Sequence, residues 1–218
     1  MTEEEWQGAT DPTPMLRELS SKIRERKSRL FAVGCCRRAW EWMESHGPIR
    51  ACVEFAEGYA DGIGAKKRLK KLIDANERAF ARYGDKPGED LTVAFAASAA
   101  RVTCDQDSRN LGIGVCNGVG WVVGRCPSAD YPAQATLLRD IFGNPFRPVV
   151  ADPAWLTPTV RSIAGAIYND RAFDRLPILA DALEEAGCTN ADVLLHCRQP
   201  GEHVRGCWVV DLMLGKGL

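Results

Sequence analysis

The chain lacks any Cys-x-x-Cys, although it holds nine cysteines in 218 residues. Neither a thioredoxin-type redox site nor a zinc ribbon therefore has its usual signature. It also lacks an apolar run approaching the ~20 residues that a membrane span needs. The opening Met1-Thr2-Glu3-Glu4-Glu5-Trp6 is acidic where a secretory signal would be basic and then apolar, so a cytoplasmic protein is expected. No excess of charge exists: 28 Lys and Arg against 29 Asp and Glu leave a net charge of -1. That removes any global electrostatic case for a nucleic-acid partner or an anionic membrane. An odd cysteine count with an adjacent Cys35-Cys36 pair does not make a disulfide framework. Most of these thiols are expected to act as small buried apolar side chains.

A helical pattern is present almost throughout. Asp11 and Thr13-Pro14 cap a helix that enters Met15-Leu16-Arg17-Glu18-Leu19. Ala32, Cys35, Cys36, Ala39, Trp40 and Met43 share one helical face, with Arg37, Arg38, Glu41 and Glu44 opposite, and Gly47-Pro48 ends that helix. Ile49, Cys52, Val53, Ala56, Tyr59, Ala60 and Ile63 form the stripe of the next. A third helix is predicted over about residues 65–83, with Lys66, Lys67, Arg68, Lys70 and Lys71 on a solvated face. Asp85-Lys86-Pro87-Gly88 reads as a turn, and Leu91, Ala94, Phe95, Ser98 and Val102 as a further helix. The glycines of 111–126 lack the Lys-Ser/Thr of a P-loop and the strand that precedes a dinucleotide fingerprint. Their four-residue spacing predicts a glycine-rich packed helix, with a hairpin over 112–123 as the alternative.

Tyr131-Pro132 opens a helix that Gly143-Asn144-Pro145 closes. Thr157-Pro158 starts another, Asp174 and Pro177 a third stopped by Gly187, and Thr189 or Asn190 caps a fourth ending near Cys197. Segment 204–214 is apolar on every face and reads as a helix, with a buried strand as the alternative. The organisation expected is all-α: about eight to ten helices, with a bundle over 1–142, a Pro-rich linker over 143–156 and a small helical subdomain over 157–218.

Chemistry concentrates at the C-terminal end. Cys188, His196, Cys197, His203 and Cys207 place five potential zinc donors within twenty residues. The set Cys188, His196, His203 and Cys207 is the candidate metal site. Cys188 also has a packing role available, since the residue after a left-handed Gly187 commonly packs on the third-last helical position, here Leu183. His203, Cys207 and Asp211 supply the residue types of a thiol nucleophile with base and acid, but i, i+4, i+8 spacing would line them along a helix. Glu184, Glu185, Asp170, Asp174 and Asp181 read as caps and solvated pairs. Trp40, Trp155 and Trp208 read as core anchors. Trp6 and Trp42 are the candidate partner surface, because protein interfaces are enriched in Trp and Arg.

Two stretches carry a resemblance. Leu30-Phe31-Ala32-Val33-Gly34-Cys35-Cys36-Arg37-Arg38-Ala39-Trp40, with Met1-Thr2-Glu3-Glu4-Glu5-Trp6 and Asp11-Pro12, resembles the N-terminal signature of uncharacterised proteins abundant in planctomycete bacteria. Leu137-Leu138-Arg139-Asp140-Ile141-Phe142-Gly143-Asn144-Pro145-Phe146-Arg147-Pro148 resembles their second signature, which the runs from Leu176 to Cys188 and from His203 to Asp211 continue. Residues 60–130 are unmatched. The resemblance implies an intracellular bacterial origin and a shared fold, and brings no activity with it. The function expected is a non-enzymatic interaction or regulatory module with a protein partner and no cofactor. The alternative is a zinc-binding or Cys/His-dependent enzyme built on the C-terminal cluster.

Overall fold

The computed structural model describes residues 1–19, 25–43, 47–84, 111–124 and 126–216. Among these the only regular elements are helices. None is long and apolar enough to cross a membrane. The chain divides into two compact units, Met1–Leu138 and Arg139–Leu218.

In the first unit, local chemistry sets the early helix starts. Thr2 accepts from the Glu5 amide and Glu5 from the Thr2 amide, a reciprocal capping box that begins α1 (Glu3–Gly8). Asp11 accepts from the Thr13 amide at 2.8 Å at the start of α2 (Pro12–Leu19). The centre of the unit is α3 (Glu25–Arg38), buried continuously from Lys27 to Cys36. It packs between α4 (Gly47–Ala60) and the glycine-rich α6 (Leu111–Gly124). The 111–124 segment is thus a helix, with Gly118 and Gly120 buried. Helix α5 (Lys66–Gly84) packs on α4 with Leu69 and Asn76 buried and Lys66, Lys67, Arg68, Lys70 and Lys71 exposed.

A helix buried on all sides must pair its charges. Arg29 meets Glu25 at 2.7 Å and lies over the Tyr59 ring. Arg37 meets buried Glu57 at 2.6 Å, and the Arg38 guanidinium grips buried Asp130 through Nε and Nη2 at 2.8–3.1 Å. The stripe through Met43 predicts one unbroken helix, but α3 ends at Arg38. Trp40 lies in a turn and Glu41–Met43 form a 3-10 turn. Ile63, placed on the α4 stripe, falls beyond the end of that helix and is exposed. Cys35, Cys36 and Cys52 are fully buried, as the stripes predict. The turn read at residues 85–88 and the helix read through Val102 lie outside the described residues.

The second unit begins inside α7 (Tyr131–Phe142), whose last turn carries Asp140. Thr157 caps α8 (Pro158–Asp170) by accepting from the Val160 amide at 3.2 Å. Pro177 sits in the first turn of α9 (Leu176–Glu185). Asn190 caps α10 (Ala191–Arg198) by accepting from the Val193 amide at 3.1 Å. The last helix is α11 (Trp208–Leu214). Val160, Ile167, Leu179, Leu183, Val193, Trp208 and Val209 are among the side chains of a single apolar core. Segment 143–156, read as a linker, is part of this unit: Val149, Ala151, Trp155 and Leu156 pack against the core.

Candidate functional site

Three ligand-bearing residues follow one another at the C-terminal end, and the fold brings a fourth from far upstream. His196 lies in the last turn of α10 beside Cys197. Adjacent helical residues point about 100° apart, so Cys197 enters the apolar core while His196 turns away towards Asp140. After Gln199-Pro200-Gly201 the chain is not helical. His203 sits in this loop, and a turn then brings it to Cys207, the residue preceding α11. The Cys207 amide donates to the Val204 carbonyl at 2.9 Å, with Gly206 at φ +96°, where a side chain would be strained. This turn corrects the expectation of a helix over 204–214. Helix α11 begins four residues later, and His203 reaches Cys207 through the turn.

Asp140 is the hub. Its Oδ1 lies 2.6 Å from His203 Nδ1 and 3.2 Å from His196 Nε2. The Val204 amide donates to its Oδ2 at 3.0 Å. His196 Nε2 is also 3.2 Å from Cys207 Sγ, and Gln199 Nε2 lies 3.2 Å from His196 Nδ1. The four ligand atoms of Asp140, His196, His203 and Cys207 all fall within 4.8 Å of one another. Trp208 walls the group, its ring centroid 5.2 Å from that of His196, and the two imidazoles meet edge to face at 5.0 Å. Side-chain exposure is 3% for Asp140, 7% for His196 and 6% for His203, and Cys207 is fully buried. His203 also lines a pocket with Gln199, Pro200, Gly201 and Glu202.

The electrostatics follow from this burial. Burial alone would raise the Asp140 carboxyl, but hydrogen bonds from His196 and His203, and their charges, outweigh it and hold it at about 2. Burial works to lower His203, yet the hydrogen bond and charge of Asp140 leave it raised. The Cys207 thiol is pushed well up, first by burial and then by the Asp140 charge. Burial likewise pushes Cys197 up to about 12. A nucleophilic cysteine needs the opposite, a thiolate favoured near neutral pH.

Of the four residues proposed from sequence for metal, His196, His203 and Cys207 come together and Cys188 does not. Cys188 donates its amide to the Leu183 carbonyl at 2.8 Å, and Gly187 donates to Glu184 at 2.9 Å. This is the helix-ending motif its packing role requires, and its side chain joins the core. Asp140 takes its place. Asp211 is buried on α11 outside the group, so the His203, Cys207, Asp211 line does not form. Trp6 is fully buried and cannot be a partner surface, whereas Trp42 is 52% exposed. Asp181 and Glu184 hold Arg198 at 2.6–2.9 Å on the surface, the solvated role expected of them. The signal for Asp140 lay in its own helix, where an acid sits at the position between Leu137 and Ile141 on a buried stripe. No family model, curated protein or solved structure matches the chain.

Proposed function

We propose that the protein is a non-enzymatic helical module, in which the Asp140–His196–His203–Cys207 group organises the second unit and does not act on a substrate. The observation that carries this reading is that these four side chains are buried, with His203 at the edge of a pocket. A thiol enzyme must expose a low-pKa cysteine to its substrate. Burial drives Cys207 the other way. A surface role fits Trp42, which is half exposed. Beside it, the Trp40 ring is flanked by the guanidiniums of Arg37 at 4.9 Å and Arg50 at 4.6 Å. Trp and Arg are the residue types that dominate protein-binding hot spots, so a protein partner is the reading this surface supports.

Thiol alkylation of the native chain, followed by peptide mass spectrometry, tests the proposal. Among the cysteines of the described residues, exposed Cys126 is expected to react first. Cys35, Cys36, Cys52 and Cys207 should react only on the timescale of unfolding. Modification of Cys207 ahead of Cys126 would mark an activated thiol and overturn the non-enzymatic reading.

A further inference from the structure

We infer that Asp140, His196, His203 and Cys207 hold a divalent transition-metal ion of the zinc class, in a site closed by four protein ligands. The donor set comes first. One thiolate, two imidazoles and one carboxylate are the donors zinc takes, whereas calcium and magnesium select oxygen alone. With both histidines neutral and the Cys207 proton released to solvent as the ion binds, a thiolate and a carboxylate carry two negative charges. A divalent cation balances them inside a buried site, where unbalanced charge is costly.

Two of the contacts already have the right spacing, and the widest pair of donor atoms, within 4.8 Å, has to draw in on binding. Bonds of ~2.0–2.2 Å to nitrogen and oxygen and ~2.3 Å to sulfur place tetrahedral ligands about 3.3–3.6 Å apart. His196 Nε2 stands 3.2 Å from both Cys207 Sγ and Asp140 Oδ1. The His203–Asp140 contact at 2.6 Å is a hydrogen-bond length. A cation entering there takes the place of the shared proton and opens this edge by roughly 0.7 Å, towards tetrahedral spacing.

The surroundings orient Asp140 and His196 as metal sites require. The Val204 amide occupies Asp140 Oδ2, which leaves Oδ1 aimed at the centre. The Gln199 amide engages His196 Nδ1, which leaves Nε2 free to bind. Binding through Nε2 puts the imidazole proton on Nδ1. Gln199 then presents its carbonyl oxygen there, by a flip of the amide. Asp140 and His203 are 63 residues apart, so the cation ties the end of α7 to the segment before α11, and its binding free energy becomes folding free energy. Four protein ligands leave no open position for a substrate, which makes the ion structural. The inference rests on the convergence of these four side chains and stands independently of the non-enzymatic reading.

Cobalt titration of the full chain, after removal of bound metal with a chelator, tests it. One Co²⁺ per chain should bind, with the intense visible bands of tetrahedral cobalt and a near-ultraviolet thiolate charge-transfer band, and zinc should displace it. Cys188→Ser should keep both features. Cys207→Ser should lose the charge-transfer band, and Asp140→Asn should weaken cobalt binding at least tenfold. Should these variants fail to fold, competition between the parent chain and a chromophoric chelator reports the same affinity and stoichiometry. Folded parent protein without cobalt bands would leave a metal-free His–Asp–His network and overturn the inference. So would a charge-transfer band that survives Cys207→Ser and vanishes in Cys188→Ser.

Discussion

Asp140→Ala should cost the second unit about 3–5 kcal/mol, the scale of removing one partner from a buried charged pair. The carboxylate is 3% exposed and receives His203 at 2.6 Å, His196 at 3.2 Å and the Val204 amide at 3.0 Å. Alanine removes the common acceptor and leaves three buried polar groups without it. A bound cation would add to the loss, because the same substitution deletes one of its ligands. Denaturant unfolding followed by hydrogen exchange of α8 to α11 amides would measure it. Midpoints within about 0.5 kcal/mol of the parent, the range of ordinary surface substitutions, would show that Asp140 is not the hub.

Trp208→Ala should be comparably severe, about 3–5 kcal/mol, the range for a large buried aromatic cut to alanine. The side chain is 7% exposed in the core of the second unit. Its ring rests on Gly143, where an added Cβ would fall 3.1 Å from Trp208 Cγ and where φ is +64°. It also meets the His196 ring at 5.2 Å. The substitution therefore opens a cavity and also strips the wall from the polar group. Thermal melting and soluble yield would check this. A variant that expresses and melts like the parent would recast Trp208 as dispensable to the core.

Helix identity was legible because it is local. Asn190 before Val193, Thr157-Pro158 before Val160 and Asp11 before Thr13 each satisfy a free amide within three residues, and such patterns can be read from the chain alone. The helix ends at Arg38 and the start at Trp208 were less legible. Apolar residues continue past both points, and periodicity does not register a turn whose side chains remain buried. The site was legible in part for the same reason. His196, His203 and Cys207 are close in sequence and were singled out together. Asp140 enters through tertiary packing, and Cys188 leaves because backbone hydrogen bonds at the end of α9 direct it into the core. Proximity in sequence thus grouped Cys188 with side chains it does not meet and hid the acid on which those side chains converge.

X-ray absorption at the zinc edge of chain purified without chelator tests the metal centre most directly. One zinc per chain is predicted, with one sulfur at ~2.3 Å and three nitrogen or oxygen neighbours at ~2.0–2.1 Å. A second sulfur in the shell, or folded protein that carries no metal, would contradict a centre built from Asp140, His196, His203 and Cys207.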